Sequence, residues 1–401
     1  MLGWELPPYN SGGLGVACYQ LCKALAKKGA DIEFILPYKA EHNIDFMKVL
    51  SAHPQEVKDI LFATGVGAYD SYQYVYEDGK TEALDLYTQQ DIFEHGVASI
   101  AKSRAHEFDI IHAHDWLTFR AALRAKEFAK CPLVLHVHSL ERDRAGGGEG
   151  NPLVREIEAT AFLVADKIVA ISERTKAIII EDYNIPADKI DVVHNSIDAC
   201  ELVPLDENTA YPYLAEMRNN GYRVVASVGR LTLQKGLPNL LYAAKEVIAR
   251  VPKTLFLIVG SGEQYFELIN LAADLGIAKN VIFVEFQRGK RWRDAFAIAD
   301  LFVMPSVSEP FGLTALEAVG YGTPSLISNQ SGVAEILKNC LKVDFWDINE
   351  MVNKISAVMQ NDGLRDELHR NSYKEFVQMS WGHSADKLLG VFERQKQGAT
   401  S

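Results

Sequence analysis

The sequence predicts an α/β protein with two doubly wound domains, each a mostly parallel sheet covered by helices. Short apolar runs alternate with helix-forming segments along the whole chain, which is the pattern of successive βαβ units. Polar or glycine-rich turns follow these runs in both halves, as expected where strands end at a ligand-binding edge. The 401 residues also suffice for two sizeable domains.

The composition excludes several classes of protein. Hydrophobic residues make up 48% of the chain and charged residues 23%, as in soluble globular proteins. The net charge of −12 argues against wrapping nucleic acid or docking broadly on anionic lipid. Five scattered cysteines without C-x-x-C spacing fit a reducing compartment. We find neither a signal peptide nor an apolar run of transmembrane length, so we expect a cytoplasmic protein without stable membrane insertion.

The first half begins with a fragment of strand and a glycine-rich turn that includes Gly12, Gly13 and Gly15. A helix is predicted next, over residues 16–28, because its apolar residues recur at helical spacing. Glycines before a helix let the backbone approach a phosphate or a sugar, although a simple tight turn has the same sequence pattern. Further elements are predicted as strands at 32–36, 72–76 and 82–87 and a helix at 92–106.

Two later strands lead into polar side chains. One runs into His112, His114 and Asp115, and the other, over residues 133–137, runs into His138. Because the carboxyl ends of parallel strands share an edge, we expect these side chains at one rim. They could be metal ligands, general acid or base groups, or hydrogen-bonding partners of sugar hydroxyls. We expect His112 and His114 to point to opposite faces of the sheet, which disfavours joint metal ligation.

The segment from Glu141 to Gly150 is charged and rich in glycine, as in a mobile lid or a plain flexible connector. Beyond it we predict helices at 156–164 and 173–181 and strands at 167–171 and 190–193. The predicted organisation is an N-terminal domain at 1–200, a crossing at 201–221, a C-terminal domain at 222–375, and a terminal helix at 376–401 that crosses back to the first domain.

The second half repeats the strand and helix alternation. A strand over residues 223–228 is followed by a polar turn with Arg230 and Lys235, and then by a helix over 238–250. The arginine can fork onto diphosphate oxygens while the lysine supplies a point charge. The alternative is a pair of solvated surface cations. Strands are also predicted at 255–259 and 281–286, with a helix at 292–298.

The most informative stretch runs from Ser306 to Thr323. It follows a buried strand at 300–305, and it contains a turn and then a helix. The backbone N–H groups of Gly312, Leu313 and Thr314 would lie at the N-terminus of that helix, where phosphate binds well.

Two carboxylates flank this helix N-terminus, and they require a different partner. Glu309 and Glu317 would repel a phosphate, so they are expected to accept hydrogen bonds from hydroxyls. The alternative is that Glu309 caps the helix and Glu317 is a solvated helix residue. Phosphate-binding amides beside hydroxyl-binding carboxylates predict a ligand that contains both phosphate and sugar.

These features together resemble the retaining glycosyltransferases of the GT-B fold, of the family 4/5 type. The matching motifs are Gly-Gly-Leu-Gly at 12–15, His-Ala-His-Asp-Trp at 112–116, Val-His-Ser at 137–139, Gly-Arg-Leu at 229–231 with Lys235-Gly236, and Glu309 with Glu317. Their order and spacing are specific for the superfamily, and the resemblance covers nearly the whole chain. Within it the chain is similar to bacterial and archaeal glycogen and starch synthases. The fold implied is two Rossmann-like domains that face each other across a cleft.

The resemblance also implies roles for individual residues. Asp115 and His138 would lie near the transferred sugar and the acceptor, Arg230 and Lys235 would bind the donor diphosphate, and Glu309 would hold hydroxyls of the sugar. The implied donor-binding residues are Gly12, Gly13, Gly15, Phe311, Gly312, Leu313, Thr314 and Glu317, the last of these for the ribose. The C-terminal domain would bind the nucleotide sugar and the N-terminal domain the acceptor.

Three functions are consistent with this resemblance. The first is a retaining glucan synthase of glycogen biosynthesis that uses ADP-glucose or UDP-glucose. The second is a retaining hexosyltransferase acting on a small sugar, a sugar phosphate or a glycan precursor. The third is a catalytically silent glucan-binding protein. A dinucleotide oxidoreductase is disfavoured because no G-x-G-x-x-G turn with a suitably placed acidic residue occurs.

We expect no metal and no cofactor beyond the nucleotide-sugar substrate. Arg230, Lys235 and a helix dipole can together neutralise the charge that Mg²⁺ neutralises in other transferases. Starch synthases usually carry a lysine just before the first glycines, whereas Tyr9, Asn10 and Ser11 stand here. This difference leaves the base of the donor open.

Overall fold

The structure is a computed structural model that describes residues 1–10, 12–53, 57–62, 72–76 and 79–399. The chain divides into two compact units. Unit 1 consists of Met1–Arg142, Glu149–Ser196 and Trp381–Ser401, and unit 2 consists of Asp143–Gly148 and Ile197–Ser380. In the part of the chain that is described, no helix combines the length and apolar character needed to cross a membrane.

Unit 1 is built on a parallel sheet. Its strands are β1 (Glu33–Leu36), β2 (Lys48–Ser51), β6 (Ile111–His114), β7 (Leu133–Val137), β8 (Lys167–Ala170) and β9 (Ile190–Val192). Leu2 forms parallel bridges to Ile35 of β1 and Ala113 of β6, so the first residues of the chain join the two halves of this sheet. The remaining strands form a small antiparallel sheet, with β3 (Val57–Phe62), β4 (Tyr72–Tyr76) and β5 (Thr81–Ala83).

Among the described residues, six helices precede the crossing to unit 2, and the short α4 spans the boundary at Arg142 between the two units. They are α1 (Gly13–Lys27), α2 (Leu86–Ser103), α3 (Trp116–Ala129), α4 (Glu141–Arg144), α5 (Pro152–Val164) and α6 (Glu173–Tyr183). Side chains cap three of them, since Asp85, Asn151 and Ser172 accept hydrogen bonds from first-turn amides. The strand predicted at 82–87 was wrong beyond Ala83, because the Asp85 cap begins a helix there.

Unit 2 contains a six-stranded parallel sheet in the order β12-β11-β10-β13-β14-β15. The strands are β10 (Arg223–Val228), β11 (Thr254–Val259), β12 (Val281–Val284), β13 (Leu301–Met304), β14 (Ser325–Ser328) and β15 (Leu341–Val343). The direction of strand addition reverses between β10 and β13. In open α/β sheets, ligands bind at the carboxyl ends of the strands beside such a reversal.

Helices cover this sheet and one further helix returns to unit 1. Those of unit 2 are α7 (Pro212–Asn219), α8 (Leu237–Arg250), α9 (Tyr265–Asp274), α10 (Gly289–Ala297), α11 (Leu313–Gly320), α12 (Ile348–Gln360) and α13 (Asp362–Phe376). The last helix, α14 (Trp381–Ala399), belongs to unit 1. Its Asp386 forms an ion pair with Lys28, and its Ser384 donates to the carbonyl of His194. Trp381 is buried in the apolar core of unit 1, as expected for a packing residue.

Candidate active site

The turns after β10 and β13 carry most of the predicted donor-binding residues. β10 and β13 are neighbours, with Val225 opposite Leu301 and Ala226 opposite Phe302. Arg230 and Lys235 follow β10, and Glu309 follows β13. The strand order therefore brings the cationic turn and the Glu309 loop to the reversal point of the unit 2 sheet.

Arg230 and Lys235, the two cations of the turn after β10, differ in their bonding partners. Leu233–Lys235 forms one turn of 3-10 helix, and Gly236 adopts φ 64° before α8 begins. Lys235 donates to Oε2 of Glu309 at 2.5 Å, and its side chain is 21% exposed. Among the described residues, Arg230 has no hydrogen-bonding or ion-pair partner. An anion arriving at this turn would therefore meet an uncommitted guanidinium and a lysine that already has a carboxylate partner.

Gly236 is required by close packing as well as by its backbone angle. A Cβ at this position would lie 2.2 Å from the carbonyl oxygen of Pro305. We predict that Gly236→Ala lowers the free energy of unfolding of unit 2 by about 3 kcal/mol or more, because the strained φ adds to a backbone clash. Gly276 is the matched control, since it has φ 74° with open space around it. Gly276→Ala should cost only about 1 kcal/mol. Equal urea midpoints for the two variants would contradict this prediction.

The Glu309 loop is fixed by hydrogen bonds to the segment after β14. The N–H of Glu309 donates to the carbonyl of Gln330, and the carbonyl of Glu309 accepts from Gly332, at 2.9 and 3.0 Å. Ser306 Oγ donates to the same carboxylate oxygen that Lys235 contacts, at 3.1 Å. Glu309 is only 7% exposed. These bonds fix the carboxylate, and no described residue bonds to its second oxygen, Oε1, which can accept from another donor such as a hydroxyl.

The predicted helix after this loop is present as α11, and Gly312 is its N-cap. Gly312 has φ 109°, and a Cβ there would lie 2.7 Å from Cε of Met304. Phe311 is 3% exposed, and its carbonyl accepts from Val333 N. The described side chains provide no cap at this helix N-terminus. Its first amides, including those of Leu313 and Thr314, are therefore positioned for an anion or a hydroxyl.

Glu317 lies one turn into α11 and differs from an ordinary surface carboxylate. Burial raises the pKa of Glu317 to about 7, while a hydrogen bond from Trp292 opposes the shift. That bond joins Trp292 Nε1 to Glu317 Oε1 at 3.1 Å. The solvated-helix alternative is therefore wrong for this residue. A half-buried carboxylate with one oxygen already bonded can accept from a ribose hydroxyl through the other.

The raised pKa of Glu317 predicts a pH dependence of donor binding. Above about pH 7 the carboxylate is ionised and forms charge-assisted hydrogen bonds, and below it the neutral acid accepts more weakly. We expect the KM for the donor to rise about fivefold to tenfold between pH 8 and pH 6. Glu317→Gln should have a high KM that does not change over this range. An identical pH profile in the two proteins would contradict the prediction.

In unit 1 the glycine-rich turn contacts a carboxylate that the sequence analysis missed. Glu5 Oε1 accepts from the N–H of Gly15 at 3.0 Å, and Glu5 is 5% exposed. Gly12 is the N-cap of α1, and the carbonyl of Gly12 accepts from Asn10 Nδ2. A carboxylate at this helix N-terminus makes it a poor phosphate site. The turn formed by Gly12, Gly13 and Gly15 therefore suits hydroxyl groups better than phosphate.

Asp115 and His138 lie together at the carboxyl ends of β6 and β7. Asp115 Oδ1 accepts from the backbone N–H of His138 at 2.6 Å and of Ser139 at 3.2 Å. Asp115 also has φ 59°, a conformation that few non-glycine residues adopt. This carboxylate oxygen is thus used to hold the backbone of its neighbour. Burial lowers the pKa of His138 to about 3, so its imidazole is neutral near pH 7.

The prediction that His112 and His114 point to opposite faces was wrong, because residues two apart on a strand share a face. Their ring centroids lie 4.3 Å apart. His136 on β7 and His138 just after its end join them, so four buried imidazoles cluster at two adjacent strands. Burial lowers the pKa of His112, His114 and His136 well below the usual range. All four rings are therefore neutral near pH 7.

The donor atoms of this cluster are of the types that hold Zn²⁺. One atom from each of His112, His114 and His136 lies within 4.8 Å of the other two, and the same holds for Cys18, His114 and His138. The rings are however paired with each other: His112 Nε2 lies 3.2 Å from His136 Nδ1, and His114 Nδ1 lies 3.0 Å from His138 Nε2. Both distances suit hydrogen bonds between neutral imidazoles. Absence of a metal stays a prediction.

Sequence reasoning missed several side chains that support the site. They are Glu5, Trp292, Ser306, Asp143 and His136. Asp143 Oδ1 accepts from Ser308 Oγ at 2.5 Å, next to Glu309, although the two residues are 165 positions apart. The only sequence signal was the alternation in His136-Val137-His138, which matches the one at His112 to His114.

Comparisons with known proteins agree with this architecture. The family model described as "Glycosyl transferases group 1" matches residues 215–375, and the one described as "Glycosyltransferase Family 4" matches residues 11–200. An uncharacterised glycosyltransferase of Methanocaldococcus jannaschii is 28% identical over 98% of this chain and 97% of its own length. A D-inositol 3-phosphate glycosyltransferase of Mycolicibacterium smegmatis is 29% identical over 96% and 87%. A glycogen synthase of Mycobacterium tuberculosis is 29% identical over 84% and 80%.

Solved structures share the fold. Sucrose-phosphate synthase from Thermosynechococcus elongatus has a TM-score of 0.74 at 19% identity, covering 97% of this chain and 94% of that one. The HepE protein of Anabaena has a TM-score of 0.70 at 18% identity, covering 98% of both chains. Two Rossmann-like units with these matches define a two-domain enzyme of the GT-B fold. The chain belongs to the GT-B glycosyltransferases of the family 4/5 type.

Proposed function

We propose that this protein is a retaining hexosyltransferase that moves glucose from a nucleotide diphosphate sugar to an acceptor hydroxyl. The observation that carries the proposal is the convergence at the β10/β13 reversal of Arg230, Lys235, Glu309 and the N-terminus of α11. Cations and helix amides match a diphosphate, and a fixed carboxylate matches sugar hydroxyls. Glu317 then matches the ribose of the nucleotide.

The donor is proposed to be ADP-glucose or UDP-glucose. Among the proteins of similar fold, HepE is described in complex with UDP and glucose, and an E. coli trehalose-6-phosphate protein is described with UDP-2-fluoro glucose. Both are less than 20% identical to this chain. They therefore guide only the choice of donors to test. The Gly12 turn lacks the lysine of starch synthases, so both bases are included.

Two acceptors have specific support. The relative named glycogen synthase favours an α-glucan, which is our first candidate. Several relatives named D-inositol 3-phosphate glycosyltransferase align over 95% or more of this chain, and they favour a small phosphorylated acceptor as the second. The catalytically silent glucan-binding protein remains the third possibility, and it predicts binding without turnover.

The proposed chemistry uses charge stabilisation on one face of the sugar. The bond between the anomeric carbon and the diphosphate oxygen breaks, and the bond to the acceptor oxygen forms on the same face. The acceptor proton passes to the departing phosphate. Arg230 and Lys235 stabilise the charge that develops on the leaving group, and Glu309 holds the sugar through its hydroxyls. A double displacement needs a pair of carboxylates at a suitable spacing, and the sequence has no such pair.

This chemistry predicts that a divalent metal ion is not needed. We expect kcat to stay within about a factor of two when EDTA is added just before the assay, because cations and the helix dipole already neutralise the diphosphate. The measurement is nucleoside diphosphate release with EDTA, with EDTA plus excess Mg²⁺, and with neither. Complete loss that Mg²⁺ restores would contradict metal independence.

The function is tested by donor turnover. Purified protein is incubated separately with ADP-glucose, UDP-glucose and other nucleotide sugars, each with glycogen, with inositol 3-phosphate or with no acceptor. Release that needs a glucose donor and glycogen would support a glucan synthase, and release that needs inositol 3-phosphate would support the second candidate. Absence of turnover with every pair, combined with glycogen binding, would support the silent protein. The anomeric configuration of the product, read by NMR, tests retention.

A further inference from the structure

Four imidazoles at the adjacent strands β6 and β7 form two hydrogen-bonded pairs with different surroundings. His112 pairs with His136 in the core, where His112 also contacts the ring of Phe392 at 5.2 Å. The second pair, His114 with His138, lies one step nearer the carboxyl ends of the strands. The second pair therefore lies at the carboxyl-end edge of the unit 1 sheet, together with Asp115.

The pairing of His114 with His138 follows from strand register. His114 lies directly opposite His136, so His138 is its diagonal neighbour on the same face. His114 is 0% exposed and His138 is 7% exposed. The ring of His114 stacks on Phe34 at 6.2 Å, which fixes its orientation from the far side. The ring of His138 is therefore bonded to His114, whose own orientation is fixed by burial and by Phe34.

Asp115, the residue after His114, contacts the backbone of His138. Asp115 Oδ1 accepts from the N–H groups of His138 and Ser139. His114, the last residue of β6, and Asp115, which follows it, therefore contact the ring and the main chain of His138, respectively. Each neutral imidazole carries one ring proton, so in this bond one ring donates and the other accepts, and the tautomer of His138 is coupled to that of His114. Nδ1 of His138 is buried and has no hydrogen-bonding partner among the described residues, so its hydrogen-bonding capacity is unused in this structure.

We propose that His114 is a positioning residue that sets the ring orientation and the tautomer of His138 for contact with the transferred sugar. This inference rests on the proposed function, and on the role near the transferred sugar that the resemblance implies for His138. His114 itself touches no substrate in this account. Its effect is to hold one hydrogen-bonding nitrogen of His138 in one place and one protonation state.

Substitutions at His114 separate this role from packing. The amide of asparagine lies near the position of imidazole Nδ1, the atom that contacts His138, whereas the amide of glutamine lies nearer Nε2. We expect His114→Leu and His114→Gln to lower kcat about 10-fold to 100-fold, with a smaller change in the donor KM. His114→Asn should keep kcat within about threefold of the wild type. Ring nitrogen NMR should find one tautomer of His138 in the wild type and in His114→Asn, and a mixture in His114→Leu.

His112→Leu is the matched control, since His112 lies two residues away on the same face and is equally buried. Both leucine variants should lower the melting temperature similarly, but only the one at His114 should lower kcat. Equal kcat losses at the two positions, or no rescue by asparagine, would overturn the inference. His138→Ala is measured in the same assay. Wild-type activity in that variant would refute the role of His138, whereas loss there without loss in His114→Leu refutes only the role of His114.

Discussion

Lys235→Ala is expected to lower kcat/KM by about 1,000-fold with the best donor and acceptor. Lys235 supplies a localised charge on the same turn as Arg230, and electrostatic stabilisation of a leaving group typically accounts for several kcal/mol. Its 2.5 Å contact with Glu309 places the ammonium next to the proposed sugar position. The loss should occur mainly in kcat, since the charge on the diphosphate grows as the sugar leaves.

The measurement is steady-state kinetics of nucleoside diphosphate release, with Lys245→Ala as the control. Lys245 is an exposed lysine on α8, the helix that follows the same turn, so it tests the effect of removing one positive charge nearby. Lys245→Ala should keep kcat/KM within about twofold of the wild type. Circular dichroism melting curves confirm folding of both variants. A Lys235→Ala enzyme with near-normal kcat would remove this residue from the proposed machinery.

Much of the fold was predictable because local patterns are strong where strands are buried. The strand at Leu133–Val137 was predicted residue for residue, since a run with four apolar residues out of five ends at a polar cluster. The helix over Glu173–Tyr183 was recognised from its Ser172 cap. The strand predicted over residues 82–87 was wrong beyond Ala83. The alternating pattern matched a strand, but the side chain of Asp85 caps a helix that begins at Leu86.

The site was predictable only as far as strand ends could be aligned by topology. That rule brought Lys235 near Glu309 and Asp115 near His138, although these pairs are 74 and 23 positions apart. The exact partners depend on side-chain directions that register determines. Ser308 with Asp143 is the clearest case, because no periodicity relates residues 165 positions apart. A sequence pattern predicts which residues lie at the same edge of a sheet. It does not predict which side chains form hydrogen bonds between turns, because that depends on the three-dimensional structure.

Glu309→Gln is expected to lower kcat about 100-fold while changing the donor KM by less than about threefold. Glutamine has the same shape and can keep the contact with Ser306, so the loop should stay in place. It cannot supply the negative charge that pairs with Lys235 or stabilise positive charge developing on the sugar ring. An interaction made mainly in the transition state lowers kcat and kcat/KM together. Glu263→Gln, an exposed glutamate in the turn after β11, is the control and should have no effect.

The combination of Glu309→Gln with Lys235→Ala tests whether the two residues act as a unit. Because their side chains are in contact, the free-energy effects of the single changes should not add. If the ion pair holds Lys235 for the diphosphate, removing either partner already disrupts most of the arrangement. The double variant should then be only slightly slower than Lys235→Ala alone. Full additivity of the two losses would mean that the residues act independently, and the ion pair would then have no part in positioning the lysine.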